Sequence, residues 1–358
     1  MATKKALIGM SGGVDSSVAA YLTMKAGYEC IGATMKLQPG NADEQSSCCS
    51  LDDVEDARSV AFRLGIPFYV FNFTEDFRSK VMDAFVCAYE NGLTPNPCIE
   101  CNRHLKFDRF LHRAIGLACE KIVTGHYAQI EKDEKSGRYL LKKAKDEAKD
   151  QTYFLYTLTQ QQLSHTLFPL GGLTKQEVRE IAQAQGFINA KKHDSQDICF
   201  VPDGDYLAFM KRYTGKEYPD GNYLDLQGNI VGTHKGAVAY TLGQRKGLGI
   251  ALGAPVYVCD KDMRANTVTV GPNEALFHRA LQATDWNWIS IAELTEPIRV
   301  KAKARSRMTE QWATVYPEDT GLARVEFDEP QRAITPGQAV VLYDGDTVVG
   351  GGTITEVI

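Results

Sequence analysis

A short apolar run leads into a glycine–serine loop near the start of the chain, and this junction constrains the fold more than any other feature. The run Lys5–Gly9 is typical of a buried strand, Ser11–Gly13 of a tight loop, and Val14–Ala26 of an amphipathic helix. Strand-like and helix-like patterns then alternate up to about residue 130. Such alternation favours a parallel sheet covered by helices on both faces. The sequence therefore predicts an α/β domain.

The other elements of this domain follow from the same periodicities. Further strands are expected at Cys30–Met35, Pro67–Phe71 and Lys121–Thr124, and helices at Leu51–Leu64, Phe77–Asn91 and Leu105–Ala118. Thr174 followed by Glu177 has the spacing of a capping box, which predicts a helix that starts there. The polar, turn-rich segment 37–50 is expected to be a mobile loop.

The residue composition and the pattern of predicted elements change twice along the chain, and we therefore predict three domains. Residues 1–200 form the α/β domain, 201–275 a small middle domain rich in Gly and Tyr, and 276–358 a β-rich, barrel-like domain of short strands and turns. A chain of 358 residues is long enough for this division.

Composition excludes several classes of protein. No apolar run reaches the roughly 18 residues of a membrane span, and the N-terminus lacks a signal-peptide pattern, so we expect a cytoplasmic protein. Nine cysteines in a chain of this length do not indicate a disulfide scaffold. The net charge of −5 gives no sign of a nucleic-acid partner, although phosphate binding needs only a local basic face.

The glycine loop has the chemistry of an anion site. Backbone N–H groups, a helix N-terminus and serine hydroxyls converge at such a junction. The spacing fits neither the Walker A motif nor the dinucleotide fingerprint. It does resemble the S-G-G-x-D-S pyrophosphate loop of enzymes that cleave ATP to AMP and pyrophosphate. That resemblance implies ATP binding and places Asp15 at magnesium pyrophosphate. The residues it assigns to ATP are Gly9, Met10, Ser11, Gly12, Gly13, Val14, Asp15 and Ser16.

Two cysteine segments point to sulfur chemistry. Cys98 and Cys101 form a C-x-x-C on a proline-rich loop, which we expect to precede a helix starting near Asn102. A thiol at that position is favoured as thiolate by the helix N-terminus and by nearby cations. Cys199 follows "AKKHDSQDI", a stretch that no buried strand or helix pattern explains, so it is predicted to lie on a functional loop.

Eight ordered motifs make the resemblance specific over the full length. They are Ser11–Ser16, Thr94–Pro97, Cys101-Asn102, Thr124–Tyr127, Lys149–Gln151, Asp197–Phe200, Gly243–Gly247 and Thr335–Gln338. The chain is similar to the bacterial tRNA-specific 2-thiouridylases of the pyrophosphate-loop ATPase superfamily. The resemblance implies ATP-dependent adenylation of the C2 carbonyl oxygen of the wobble uridine, followed by displacement of AMP by persulfide sulfur. It implies ATP and Mg²⁺ as cofactors. The implied partners are the tRNAs for Lys, Glu and Gln and a persulfide donor, such as a cysteine desulfurase or a relay protein.

The resemblance also assigns roles residue by residue. Cys199 takes the persulfide and Cys101 releases the sulfur, which leaves a Cys101–Cys199 disulfide to be reduced. Met35 and Gly125 match positions that contact the adenosine. The flipped target base and the tRNA are assigned to Asn96, Pro97, Cys98, His126, Lys149, Asp150, Gln151, Arg305, Ser306 and Gln338. The sequence Gly243–Gly247, with Lys235 nearby, is interpreted as a phosphate-facing or base-pocket loop.

One departure leaves the sulfur route open. Many family members carry Asp at the position of Cys98, so Cys98 is either a spectator or auxiliary thiol in a persulfide relay or, with Cys101 and Cys199, a ligand of a [4Fe–4S] cluster. A structural zinc site using Cys48-Cys49, His104 and His126 is a further alternative. Two other functions fit part of the sequence. A pyrophosphate-loop amidotransferase or synthetase has no use for the paired cysteines, and the intact loop argues against a non-catalytic RNA-binding or iron–sulfur sensor protein.

Overall fold

The computed structural model describes residues 4–38, 51–192 and 198–358. Its strands are β1 Lys5–Gly9, β2 Glu29–Lys36, β3 Phe68–Asn72, β4 Lys121–Val123, β5 Gln129–Lys132, β6 Tyr139–Lys142, β7 Thr166–Leu167, β8 Gly221–Leu224, β9 Ile230–His234, β10 Tyr257–Asp262, β11 Thr267–Gly271, β12 Phe277–Trp288, β13 Ile298–Lys303, β14 Gln311–Pro317, β15 Ala323–Arg332, β16 Ala339–Asp344 and β17 Thr347–Val357.

The helices lie mainly in the N-terminal half. They are α1 Val14–Lys25, α2 Leu51–Leu64, α3 Thr74–Phe77, α4 Asp83–Glu90, α5 Pro97–Cys101, α6 Phe110–Gly116, α7 Thr152–Leu155, α8 Gln160–Ser164, α9 Lys175–Ala184 and α10 Tyr206–Thr214. Two π-helical segments, Arg78–Met82 and Asn102–Arg109, join α3 to α4 and α5 to α6. Short 3₁₀ turns occur at Ala237–Ala239, Asn273–Leu276 and Asp319–Gly321.

A five-stranded parallel sheet organises the N-terminal domain in the order β3-β2-β1-β4-β7. Gly9 pairs with Ala33, and Ile8 pairs with Val123, so the carboxyl ends of the three central strands meet at one edge. The α/β class predicted from the sequence is confirmed, and each predicted strand agrees with the structure to within one residue at either end. Ligands of open α/β sheets bind at this carboxyl edge.

One predicted helix boundary is wrong. The helix expected near Asn102 begins at Pro97, where the Asn96 side chain caps it by accepting a 3.2 Å hydrogen bond from the Cys98 N–H. Proline is well suited to the first helical position because its missing N–H is not needed there. The proline-rich stretch is therefore the start of a helix and not a loop, and Cys98 and Cys101 lie within that helix.

The capping box that the sequence predicts is confirmed. The Thr174 hydroxyl accepts a hydrogen bond from the Glu177 N–H, and the Glu177 carboxylate accepts one from the Thr174 N–H at 2.6 Å. Of the mobile loop predicted at 37–50, residues 39–50 lie outside the described part of the chain.

The two remaining domains are built mainly from strands, with α10 in the middle domain, and the β-rich, barrel-like C-terminal domain is confirmed. Four strands form the middle sheet in the order β10-β11-β8-β9, and the C-terminal sheet has the order β12-β15-β14-β13-β16-β17-β6-β5, with β12 also pairing with β17. The hairpin β5–β6 comes from the N-terminal domain but extends the C-terminal sheet, where Lys142 pairs with Thr347. No helix in the described residues is long and apolar enough to cross a membrane.

An aromatic cluster joins α4 to the segment that follows Cys199. The Phe85 ring lies 5.2 Å from Phe200, 6.0 Å from Phe209 of α10 and 4.8 Å from Tyr89, measured between ring centroids. Phe85 and Phe200 are both buried. The position of Cys199 is thus tied to a packed core through its neighbour in the chain.

Replacement of Phe85 tests this packing. Phe85→Ala is expected to destabilise the protein by about 3–5 kcal/mol, because it removes a fully buried ring and leaves a cavity, whereas Phe85→Leu should cost less than half of that. Urea unfolding measured by circular dichroism gives the comparison. The control is Phe62→Ala, since Phe62 is 88% exposed, and it should change stability by less than about 0.5 kcal/mol. Equal losses at both positions would contradict the assignment.

Candidate active site

The loop between β1 and α1 is closely packed and requires glycine. Gly12 has a φ of +75°, and a Cβ at this position would lie 2.3 Å from the Asp53 carbonyl oxygen. Gly13 caps α1 in an extended conformation and brings no side chain to the helix N-terminus. The Ser11 N–H donates to the Ser16 Oγ at 3.1 Å and folds the loop over the first turn. An anion can therefore approach the first-turn N–H groups closely.

The opposite face of the loop is fixed by a residue far along the chain. The buried Asn189 amide donates to the Gly12 carbonyl oxygen and to the Ser17 Oγ, both at 2.9 Å. The Ser17 hydroxyl in turn donates to the Gly13 carbonyl oxygen at 3.1 Å. These bonds hold the loop in one conformation before any ligand binds, which lowers the cost of ordering it.

Asp15 is the centre of the charged part of the site. The Lys175 ammonium lies 2.7 and 2.8 Å from its two carboxylate oxygens, and the Tyr127 hydroxyl donates to one of them at 2.8 Å. Lys175 is buried and is the first residue of α9. A cation at a helix N-terminus opposes the helix dipole, so this position is explained by the ion pair and not by helix stability.

Residues at the ends of the neighbouring strands β2 and β4 pack against the loop between β1 and α1. A Cβ on Gly125, just after β4, would lie 2.7 Å from the Ser16 amide nitrogen. The Met35 methyl group on β2 approaches Gly9 at the end of β1. The structure therefore places the sequence-predicted ATP residues together at the carboxyl edge of the sheet, and their contact with ATP stays a prediction.

Gln151 and Asp150 support the same edge from the next loop. The Gln151 side-chain oxygen accepts from the Tyr127 N–H at 2.9 Å, and the Gln151 backbone N–H donates to the Tyr127 carbonyl oxygen at 3.0 Å. Asp150 accepts from the Ala144 N–H at 2.9 Å and from the Thr152 hydroxyl at 2.6 Å, while burial raises the pKa of this carboxyl group. Both side chains thus have structural partners in addition to their predicted role in tRNA binding.

His126 lies inside the domain. Its Nδ1 is 2.7 Å from the Thr124 hydroxyl, and its ring packs against Phe107 and Phe168 with centroids 5.6 and 5.9 Å away. Burial, with a smaller contribution from Lys106, lowers the pKa of His126 well below its usual value. The ring is therefore neutral at pH 7 and cannot attract phosphate by charge. Its contact with tRNA stays a prediction.

The two cysteines of α5 differ in exposure. Cys98 is exposed in the first turn, whereas Cys101, one turn later, is 7% exposed. The Arg103 side chain, expected from the sequence to favour a thiolate, forms an ion pair with Asp285 of the C-terminal domain at 2.5 Å. Asp285 therefore partly neutralises the Arg103 charge, which is less available to favour a thiolate.

The C-terminal domain holds the segment that leads into these cysteines. The Gln338 amide donates to the carbonyl oxygens of Thr94 and Pro95 at 2.8 and 3.4 Å. The Thr94 N–H donates to the Pro336 carbonyl oxygen at 3.0 Å, and a Cβ on Gly337 would lie 2.9 Å from the Thr94 nitrogen. We call residues 335–338 the latch, because they fix the entry to α5.

Arg305 joins the latch to the middle domain. Its guanidinium donates to the Thr335 hydroxyl and, at 2.9 Å, to the Leu242 carbonyl oxygen. Arg305 and the adjacent Ser306 are half-buried. Arg305 and Gln338, which the sequence assigns to tRNA contact, therefore also connect the three domains.

Cys199 lies near the end of β2. Its carbonyl oxygen accepts a 3.3 Å hydrogen bond from the side chain of Gln38, and Cys199 itself is half-buried. None of the seven cysteines in the described residues is joined in a disulfide. The predicted Cys101–Cys199 disulfide stays a prediction for the oxidised protein.

Comparison with known proteins identifies the family. Family models described as a tRNA methyl transferase HUP domain, PRC-barrel domain and aminomethyltransferase β-barrel domain match residues 4–203, 207–272 and 278–354. A tRNA-specific 2-thiouridylase of Clostridioides difficile is 54% identical over 355 residues, which cover 99% of this chain and 98% of the relative. One from Acetivibrio thermocellus is 52% identical over 358 residues, covering 99% and 100%.

The chain belongs to the tRNA-specific 2-thiouridylase family. The resemblance found from the sequence motifs is thereby confirmed. Among solved structures, a 4-thiouridine synthetase in complex with RNA and ATP matches with a TM-score of 0.35 and 19% identity, covering 56% of this chain and 45% of that one. This likeness is too weak to carry an argument.

The cysteines do not fit the iron–sulfur alternative for this family member. Cys98, Cys101 and Cys199 are all described, yet no group of three Cys, His, Asp or Glu side chains in residues 4–38, 51–192 and 198–358 is arranged to hold a metal ion. Of the zinc candidates, His104 lies 3.2 Å from Glu100 on the same helix, and Cys48-Cys49 falls outside the described residues. The arrangement supports no step through a cluster.

Sequence reasoning missed three residues that build this site. Lys175 does have a local signal, because a lysine directly after an N-cap is unfavourable for the helix and can indicate an ion pair. Asn189 had no local signal, because its partners lie more than 170 positions away. Lys192 reaches Asp53 and Asp56 at 2.7 and 2.6 Å and fixes the start of α2 beside the loop.

The pairing of Asp15 with Lys175 can be measured by a double-mutant cycle. Asp15→Asn, Lys175→Met and the combined variant should give a coupling free energy of about 1–3 kcal/mol, since the lysine is buried and the geometry is bidentate. The control cycle uses Lys145 and Glu177, an exposed pair 3.0 Å apart, which should couple by less than about 1 kcal/mol. Chemical denaturation supplies the seven stabilities, because the two cycles share the wild-type protein. Additive effects at Asp15 and Lys175 would contradict the assignment.

Proposed function

We propose that this protein is an ATP-dependent sulfurtransferase that converts the wobble uridine of tRNA to 2-thiouridine. Relatives about half identical over the full length carry the name of that activity. The observation that carries the proposal is the meeting at one sheet edge of the anion loop around Asp15 and the Cys199 segment, which Gln38 ties to the end of β2. This placement lets a nucleotide and a sulfur carrier act on one substrate. We further propose a cytoplasmic location.

The first step activates the base. The C2 oxygen of uridine attacks the α-phosphorus of ATP, and pyrophosphate leaves to the loop at Ser11–Ser17. An amide-like carbonyl is a poor electrophile, and adenylation turns its oxygen into a leaving group. The first-turn N–H groups of α1 stabilise the phosphate charge. The Asp15 carboxylate is the donor suited to Mg²⁺, which would neutralise the departing pyrophosphate, while Lys175 and Tyr127 orient that carboxylate.

The second step replaces oxygen by sulfur. A donor protein leaves a persulfide on Cys199, and its terminal sulfur attacks C2 as AMP departs. Cys101 then attacks the Cys199 sulfur, so that the terminal sulfur stays on the base and a Cys101–Cys199 disulfide forms. A dithiol reductant restores both thiols. Cys101 is nearly buried, which protects its thiol from solvent between turnovers.

The substrate base must leave the anticodon stack to reach this site. Asn96 and Pro97 begin the helix that carries Cys101, so they are suited to line the pocket for the flipped uridine. The proposed substrates are the tRNAs for Lys, Glu and Gln, and the donor is a cysteine desulfurase or a relay protein. The remaining positions proposed to contact tRNA are His126, Lys149, Asp150, Gln151, Arg305, Ser306 and Gln338.

Asp15→Asn tests the adenylation step. The variant keeps the size of the side chain but loses the charge that would hold Mg²⁺, so release of AMP in the presence of tRNA should fall at least a hundredfold. Thin-layer separation of radiolabelled ATP products measures it. The matched control is Asp76→Asn, since Asp76 pairs with Arg109 on the surface of the same domain. Retention of normal AMP release by Asp15→Asn would overturn the role of this carboxylate.

Cys101→Ser and Cys199→Ser test the sulfur step. Each should abolish formation of 2-thiouridine, measured by mass spectrometry of digested tRNA, while the affinity for ATP stays within about twofold. Cys87→Ser is the control, because Cys87 is an exposed cysteine that the proposed mechanism does not use. Full activity of either single variant would refute the two-thiol mechanism.

A further inference from the structure

The middle domain presents a rigid loop that the proposed mechanism does not use. We call residues 241–247 the basic loop. The Gly243 N–H donates to the Val258 carbonyl oxygen at 2.8 Å, and the Val258 N–H donates to the Gln244 carbonyl oxygen at 3.0 Å. The Gln244 side chain also donates to the Lys246 carbonyl oxygen at 3.0 Å. The loop is therefore fixed at its base and across its tip.

The basic loop is docked on the C-terminal domain. The Leu242 carbonyl oxygen accepts from Arg305, and the Gly243 carbonyl oxygen accepts from Arg332 at 3.5 Å. A Cβ on Gly243 would lie 2.8 Å from the Ala333 Cβ, so the two domains approach as closely as glycine allows. The loop therefore keeps a fixed position relative to the barrel.

The same part of the barrel contacts the segment before α5, the helix that carries Cys98 and Cys101. We call α5 the cysteine helix. Arg305 bonds both Leu242 of the basic loop and Thr335 of the latch. Three residues later, Gln338 holds the Thr94 and Pro95 carbonyl oxygens ahead of α5. A continuous series of hydrogen bonds and chain links thus joins the basic loop to the entry of the cysteine helix.

Two cations stand on this loop without a carboxylate partner. Arg245 and Lys246 are exposed, and in the described part of the chain neither forms an ion pair. Two other cations of the middle domain do form ion pairs: Lys211 pairs with Glu217, and Lys216 with Glu90. Arg245 also lines an open cavity of about 470 Å³, so a ligand strand has room beside it. Adjacent like charges held on a rigid loop favour an anionic ligand.

We propose that Arg245 and Lys246 bind the phosphate backbone of the substrate RNA next to the nucleotide that enters the cysteine site. This inference rests on the proposed function and adds a binding surface to it. A rigid loop loses little entropy on binding, and a guanidinium can bond a phosphate through two N–H groups. Phosphate contacts set the register of an RNA without reading its sequence. The basic loop therefore positions the tRNA, and Gln244 positions the loop.

The test is a salt titration of tRNA binding by the full-length protein. Removal of both charges in Arg245→Gln/Lys246→Gln should reduce the slope of log K against log salt by about 1.4–1.8, because each phosphate contact contributes about 0.7–0.9. Affinity for unmodified tRNA transcript at low salt should fall at least tenfold, with ATP binding unchanged. The charge-matched control is Lys80→Gln/Lys135→Gln, which removes two exposed lysines elsewhere and should change the slope by less than about 0.3.

A second variant separates the effect of the loop's conformation from the effect of the Arg245 and Lys246 charges. Gln244→Ala keeps both cations but removes the side-chain bond to the Lys246 carbonyl oxygen. Affinity for tRNA should fall about threefold to tenfold with little change in the salt slope. Arg245→Lys/Lys246→Arg, which keeps the charges, should bind with nearly the wild-type slope.

The possible failures are distinguishable. A wild-type slope and affinity in the double Gln variant would overturn the basic loop as an RNA surface while leaving thiolation intact. If that variant bound tRNA normally but accepted sulfur poorly from a protein donor and normally from a low-molecular-weight persulfide, the loop would belong to the donor instead, which also overturns the proposal. Failure of the wild-type protein to form 2-thiouridine would refute the proposed function, whereas its tRNA binding would still decide the role of the loop.

Discussion

The carboxylate of Asp15 is the interaction on which the N-terminal domain depends. It receives Lys175 from the start of α9 and Tyr127 from the segment after β4, so it joins three parts of the chain that are far apart in sequence. A partly buried carboxylate needs such partners, because removal from water is costly unless its charge is compensated. Lys175 and Tyr127 therefore compensate the cost of bringing this acid to the anion loop.

The cysteine helix depends on the C-terminal domain in a comparable way. The latch bonds the backbone of Thr94 and Pro95, and the Arg103–Asp285 pair adds a second contact farther along the same helix. The proposed sulfur transfer between two thiols and a base requires reacting atoms held within a few ångströms. A helix attached at both places to a barrel meets that requirement better than a free loop, which gives the β domain a structural role beside the nucleotide domain.

Local patterns predicted most of the N-terminal domain and less of the site. The strands around Gly9 and the capping box at Thr174 depend on short-range periodicity and hydrogen bonding, and both were predicted. The helix start at Pro97 was missed because a proline after Asn favours a turn as readily as a cap. The pairing of Lys142 with Thr347 and the ion pair of Lys175 depend on tertiary contacts, which no window of sequence contains.

The distribution of charge explains how an acidic chain can handle an anionic substrate. The net charge of −5 repels RNA at long range, and the neutral His126 contributes no compensating charge. Attraction must therefore come from cations that the fold leaves without carboxylate partners near the site. Lys175 is already held by Asp15 in the nucleotide loop, whereas Arg245 and Lys246 stand on a rigid, exposed loop. Separation of the two functions lets the site bind nucleotide and RNA phosphate without competition between them for one set of cations.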